Sequence, residues 1–209
     1  MLSRIVPMLA LLAAGACYGQ AAAVRAGVDY ELLRAAQPTS ASEGRVEVAE
    51  VFQYGCGGCA QFEPHLERWA ASNPEHIELV RIPAVWNSLG ELHARAFYTA
   101  EALGILSQIH APFFRAYHLE GNRLATPAKV RELFAAHGVD AKTFDATFES
   151  FAVHTKVQRA KELVTRYGIP ETPTIVVAGK YLTRGGLAGT YERWFEILEA
   201  LAEREHGGG

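Results

Sequence analysis

The chain has 209 residues, about half of them apolar, with 20 basic and 23 acidic side chains and three cysteines. These figures suit one globular domain, with or without an insertion, and exclude a disordered tail, a multi-span membrane protein and a basic nucleic-acid binder. Three cysteines are too few for a four-cysteine zinc site or a disulfide-stapled scaffold, and a chain this long can build its core without such staples.

The N-terminus reads as an address rather than as structure. Arg4 precedes an apolar run from Ile5 to Ala14, and small residues follow up to Ala23, the layout of a secretory signal peptide. The run is short against the roughly 20 apolar residues of a spanning helix. Cleavage is expected near Ala21 to Ala23. Ala14-Gly15-Ala16-Cys17 also resembles a bacterial lipobox, with alanine where leucine is usual, so lipidation of Cys17 is a second reading. On either reading Cys17 is no structural disulfide partner. Cys56 and Cys59 remain, and export puts them in an oxidising compartment.

Tyr30 to Ala36 reads as a short mixed segment at a sheet edge, and Gln37 to Gly44 as a loop. Arg45 to Tyr54 is rich in β-branched and aromatic residues and predicts a buried strand. A helix follows from Cys56, because Cys59, Phe62, Leu66 and Trp69 recur at helical spacing; Pro64 is expected to kink it. Ile77 to Val85 predicts a second strand. Residues 87–167 then hold no good strand. One helical stripe runs through Leu89, Leu92, Ala96, Ala100 and Leu103, and a second through Leu106, Ile109, Phe113 and Tyr117. A third has Val130, Leu133 and Phe134, and a fourth Phe144, Phe148 and Phe151, with Asp140 as its N-cap. A last helix, Thr155 to Tyr167, is expected to stop at Gly168. Core packing accounts for these aromatics.

Thr174 to Val177 and Tyr181 to Thr183 flank Ala178-Gly179-Lys180 and predict a hairpin. Gly185, Gly186 and Gly189 read as a loop, Tyr191 to Glu203 as an amphipathic helix, and His206 onward as a frayed tail.

The chemistry centres on Cys56-Gly57-Gly58-Cys59. Two cysteines two residues apart at a helix start can close a small disulfide. The first sits where helix amides and the helix dipole favour a thiolate, and the second is the natural resolving thiol. Half a zinc site is the bland alternative, but no second CxxC exists and no histidine follows closely. The eight histidines are scattered, each better read as a surface or packed residue than as a ligand. Placement after a buried strand and before a helix favours the redox reading. Pro173, directly before a predicted strand, reads in isolation as a strand-initiating proline. Glu50, inside the apolar strand six residues before Cys56, is expected to be desolvated with a raised pKa and able to exchange a proton with Cys59; an exposed edge glutamate without a role is the alternative. Glu43 and Glu47 are expected in solvent.

Together these residues resemble the DsbA family of periplasmic thiol:disulfide oxidoreductases, within the thioredoxin superfamily. The resemblance rests on the run Glu50 to Glu63, on Ala102-Leu103-Gly104-Ile105, on Gly138-Val139-Asp140 leading to Phe144, and on Thr172-Pro173-Thr174-Ile175-Val176-Val177 with Gly179-Lys180-Tyr181. It extends over nearly the whole chain after the leader. It implies an α/β thioredoxin fold with an all-helical insertion: leader 1–23, thioredoxin-like domain 24–86 and 168–205, insertion 87–167, tail 206–209. It implies Cys56 as nucleophile, Cys59 as buried partner, Glu50 as buried acid and Pro173, after Thr172, as a cis-proline facing the cysteines. It also implies a periplasmic monomer without cofactor or metal, acting on unfolded exported proteins and reoxidised by a DsbB-like membrane oxidase. Gly57-Gly58 departs from the Pro-His of the best-known members, and Thr172 from a valine. Without that histidine the Cys56 thiolate is less stabilised and the disulfide less oxidising. A reductase or isomerase of the same fold, and a peptide-binding chaperone, are the competing readings. An isomerase with its own N-terminal dimerisation domain is disfavoured by the short stretch before the core.

Overall fold

A computed structural model describes residues 23–207, so residues 1–22 of the leader, Cys17 among them, lie outside the described residues. Five strands form one sheet in the order β1-β5-β4-β2-β3. They are β1 (Glu31–Leu32), β2 (Val46–Phe52), β3 (Ile77–Pro83), β4 (Thr174–Val177) and β5 (Tyr181–Arg184). β2 and β3 run parallel, joined over the sheet by α1 (Gly57–Ala71); the other neighbours are antiparallel. The thioredoxin fold is therefore present, and α2 (Ser88–Ala102), α3 (Leu106–His118), α4 (Pro127–Ala135), α5 (Ala141–Phe148) and α6 (Phe151–Tyr167) lie between β3 and β4. A short α7 (Gly185–Ala188) and α8 (Tyr191–His206) close the chain.

Every residue of β2 is buried, because helices cover both faces of this central strand. Val46 and Val48 pack with Phe62, Leu66 and Trp69 of α1 and with Trp194, Ile197 and Leu198 of α8. Ala49 and Val51 point the other way, into a core shared with the helical block. The alternation of side chains along a strand therefore puts Glu50 on the α1 face and Glu47 on the helical-block face.

The start and stop signals act as expected at several ends. Asp140 Oδ1 accepts from the Thr143 amide at 3.0 Å, and Gly168 ends α6 at φ +64°. The β4–β5 turn puts Ala178 and Gly179 both at positive φ, the geometry that matches the twist of a two-strand hairpin. A Cβ on Gly179 would lie 2.2 Å from the Gln37 carbonyl oxygen, so only glycine lets the 37–44 loop close over this turn.

Five expectations need correction. Glu47 is buried, not solvated, because Ser40 folds over it and donates from its amide (2.6 Å) and hydroxyl (2.7 Å). Phe151 does not continue the stripe of Phe144 and Phe148: Ser150 caps a new helix there, and Phe151 is 83% exposed. The last helix of the block thus begins one turn before Thr155. Residues Gly185–Ala188 form a helical turn rather than a loop, and α8 continues to His206.

Candidate active site

Cys56 occupies the N-cap of α1, with extended backbone (φ −86°, ψ 117°). Its sulfur takes the place that a serine or aspartate oxygen takes at other caps and accepts from the Cys59 amide at 3.3 Å. As a thiol it also donates to the Thr172 carbonyl at 3.2 Å. Cys56 is half-buried, whereas Cys59, one turn inside, is fully buried. Both are free thiols here.

The two sulfurs have opposite electrostatics. The hydrogen bond from Cys59 pulls the Cys56 thiol down to about 5, against partial desolvation, with further help from Thr172 and the first amides of α1. Burial pushes the Cys59 thiol far up, and the neighbouring Cys56 sulfur adds to the shift. The pair is thus one half-buried thiolate over one fully buried, protonated thiol.

The Thr172–Pro173 peptide is cis. Its ring lies against the dipeptide between the cysteines: a Cβ on Gly58 would sit 3.3 Å from Pro173 Cδ and 3.8 Å from Cys56 Sγ, while one on Gly57 would meet nothing within 4 Å. Glycine at 58 therefore allows the closest approach of this loop to the redox helix.

Beneath Cys59 lies a group of buried charges. Glu50 of β2 is in register with Arg81 of β3, whose Nε lies 3.9 Å from Glu50 Oε2. Arg81 Nε donates to Glu63 Oε1 of α1 at 2.8 Å. Glu63 Oε2 faces His110 Nε2 of α3 at 3.5 Å, and His110 Nδ1 is 2.8 Å from the Tyr54 hydroxyl. Neither Glu50 oxygen meets a donor, so an ionised Glu50 would have no hydrogen bond to offset its desolvation. Burial first, and the Glu63 charge second, hold the Glu50 carboxyl well above its ordinary range. Glu63 is held low by His110 and Arg81 despite its own burial. One proton on Glu50 supplies the donor that two carboxylates lack between them.

The structure brings Cys56, Cys59, Gly57, Gly58, Thr172 and Pro173 together, with Glu50 below. Sequence reasoning missed Glu63, Arg81, His110 and Tyr54 as members of this site. The one available signal was Glu63, four residues after Cys59 and so on the same flank of α1. Among the described residues no cluster of three metal-binding side chains occurs.

The profile of the DSBA-like thioredoxin domain family matches residues 81–201. The chain is 39% identical over 165 residues to the thiol:disulfide interchange protein DsbA of Azotobacter vinelandii, covering 79% of this chain and 77% of that one. It is 35% identical over 205 residues to the DsbA of Pseudomonas aeruginosa, with 97% of each chain covered. The crystal structure of Pseudomonas aeruginosa DsbA superposes with a TM-score of 0.83 over 88% of this chain and 96% of that one, at 35% identity. The structure of the oxidoreductase DsbA from Xylella fastidiosa gives 0.82 at 29% identity, over 88% and 99%.

Proposed function

The chain belongs to the DsbA-like thioredoxin family and is a thiol:disulfide oxidoreductase, and from that premise we propose that Cys56 and Cys59 are the redox pair with which it donates disulfides to exported proteins. The observation that supports this reading best is the split between the two sulfurs, one stabilised as a thiolate at a helix N-cap and one buried as a thiol. A good leaving sulfur at Cys56 is what a disulfide donor needs.

In the forward direction a substrate thiolate attacks Cys56 Sγ of the oxidised pair. The S–S bond breaks, its electron pair goes to Cys59 Sγ, and that buried sulfur takes a proton. A second substrate thiol then loses its proton and attacks the substrate sulfur of the mixed disulfide. Cys56 departs as a thiolate. The substrate loses two electrons, which the protein pair has gained. Glu50, protonated beneath Cys59, is the group placed to give that proton and to take it back in the reverse step. Thr172 and Pro173 form the wall beside Cys56 along which the substrate backbone lies.

Glu50→Gln is expected to slow formation and resolution of the Cys56 mixed disulfide about 10- to 100-fold, the usual weight of a positioned acid–base group. The amide can still donate to Glu63, so the free energy of unfolding should change by less than about 1 kcal/mol. Single-turnover thiol release with a dithiol peptide reads the first, and equilibrium unfolding the second. An unchanged rate would remove Glu50 from the proton path.

In this reading the leader directs the protein to the periplasm, where it acts as a monomer and is recharged by a DsbB-like membrane oxidase. Residues 24–86 and 168–205 form the thioredoxin-like domain of this reading and 87–167 its insertion. Among the described residues no helix is long and apolar enough to cross a membrane.

Equilibration with glutathione tests the direction of the chemistry. A donor must come out more oxidising than glutathione; a more reducing pair would make the protein a reductase. Gly57→Pro combined with Gly58→His is expected to increase the oxidising power. Position 57 has open space and is the first helical residue, where proline is pre-organised. The imidazole adds a donor or positive charge for the Cys56 thiolate. Each pKa unit so gained is worth about 1.4 kcal/mol, or roughly 30 mV for a two-electron couple. The Pro173 ring must yield by a few tenths of an ångström to the new Cβ, which offsets part of the gain. Thiolate absorbance and the glutathione equilibrium, measured on both proteins, should move together. A lower Cys56 pKa with an unmoved potential would show that the thiolate does not set the poise.

A further inference from the structure

An open groove of about 380 Å³ runs between α1 and α3, starting at Gly57, the residue after Cys56. Its floor is apolar: Ala60 and Pro64 from α1, Phe114 from α3. From Gly57 to Pro64 the helix advances about 10 Å, which matches three residues of an extended chain at about 3.3 Å each. The C-terminal end of α3 is fixed beside the redox loop, because the His118 Nε2 donates to the Tyr54 carbonyl at 2.8 Å. That bond brings Arg115 and Leu119, both lining the groove, to its redox end. Leu119 is 81% exposed, the second most exposed large apolar side chain among the described residues. Arg115 is exposed and makes no ion pair among the described residues, whereas seven of the thirteen other described arginines do. The one carboxylate lining the groove, Glu63, is already held by Arg81.

We propose that this groove is a specificity subsite that holds the substrate chain next to its reacting cysteine, taking an apolar residue against Phe114 and Leu119 and an acidic residue against Arg115. The proposal rests on Cys56 being the sulfur that joins the substrate. Two features select this occupant. The groove is continuous with Cys56, so a polypeptide attached to that sulfur has its neighbouring residues at the mouth. The unpaired Arg115 lines the same groove as the apolar Ala60, Pro64 and Phe114, so one extended segment can present an apolar and an acidic residue to it together. A folded partner would need a broad complementary surface, whereas three extended residues fit the length available. Specificity here is a difference between flanking sequences, carried by attraction of one charge and rejection of the other.

The test uses two dithiol peptides that differ at one kind of position. Each has leucine beside its reacting cysteine; beyond the leucines one carries aspartate and the other lysine. The oxidised full-length protein is expected to oxidise the aspartate peptide with about tenfold higher kcat/KM at low ionic strength, the preference shrinking as salt is added. Arg115→Lys should keep the preference and Arg115→Glu should invert it. Because the readout is a ratio between peptides, a general loss of activity in a variant cancels. An equal ratio in wild type and Arg115→Glu overturns the subsite. Failure of the wild-type protein to oxidise dithiothreitol as well as both peptides overturns instead the assignment of Cys56, and the subsite with it.

Discussion

Cys56→Ser abolishes disulfide transfer, while Cys59→Ser leaves a protein that accumulates mixed disulfides through Cys56. The asymmetry follows from position rather than from residue type. Cys56 is half-buried at the helix N-cap and is pulled down to about 5 by the hydrogen bond from Cys59 and the first amides of α1. Cys59 is fully buried and pushed up. At neutral pH the first is almost wholly thiolate once reduced and the second almost wholly thiol. Only the first sulfur can be reached by a partner and leave as a stable anion. With Cys59 gone, no internal thiol resolves a mixed disulfide, and the adduct persists until an external thiol arrives. Loss of transfer in the Cys56 variant should be complete within detection, because no second sulfur can take its place. Alkylation of the reduced wild-type protein at mildly acid pH, followed by peptide mapping, should label Cys56 first. Labelling of Cys59 first would reverse the assignment. The double serine variant also separates redox chemistry from a chaperone role: a chaperone would still suppress aggregation of an unfolded protein at wild-type strength.

Reduction stabilises the fold relative to the disulfide, and the difference depends on pH in a direction the thiolate fixes. The folded Cys56 pKa, about 5, lies below the value of about 8.5 expected of an unfolded cysteine. A depressed pKa contributes stability that is fully present above the unfolded value and is lost as pH falls through the folded one. The reduced protein should therefore gain on the oxidised protein steadily from pH 5 to 8.5. At about 1.4 kcal/mol per unit the full gain would approach 5 kcal/mol; Cys56 is half-exposed, and solvent screening reduces this to about 2–3 kcal/mol. The disulfide's own constraint on the unfolded chain, about 2 kcal/mol for so short a loop, favours the oxidised form but does not vary with pH, so the pH slope reports the thiolate alone. Urea midpoints of both forms at pH 4, 6 and 8 give the slope. A difference that stays flat over this range would mean that the helix N-cap does not stabilise the thiolate.

Much of this architecture was legible in the sequence for reasons that can be named. β2 is a run of β-branched and aromatic residues, α1 carries a helical stripe, and the cysteines fall at the junction between them. These are local patterns. Glu50 was legible because its neighbours Val48, Ala49, Val51 and Phe52 are all apolar, and a strand buried on both faces takes its carboxyl with it. Glu47, three residues earlier in the same strand, was misread: its burial depends on Ser40, which arrives from a loop that no period describes. The cluster beneath Cys59 escaped for the same reason. Glu63, Arg81, His110 and Tyr54 come from α1, β3, α3 and the turn after β2, and each alone looks like an ordinary polar or aromatic residue. What joins them is the parallel register of β2 with β3 and the packing of α3 on α1, both tertiary facts. The stretch Gly185–Ala188 was misread because its glycines predict a loop, whereas β5 and α8 hold it in a helical turn.

The separation of 116 residues between Cys56 and the Thr172 carbonyl bears on biogenesis. A chain that emerges N-terminus first delivers both cysteines long before the loop that walls them in. During that interval the strand–helix unit bearing the sulfurs has no β4 beside it, since β2 pairs with β4 only after the whole helical block has been delivered. Contacts this distant in sequence form late and slowly. The newly made protein thus passes through a stage in which its thiols are open to chance oxidation by any neighbour, and it becomes selective about its thiol partners only when the last fifth of the polypeptide docks.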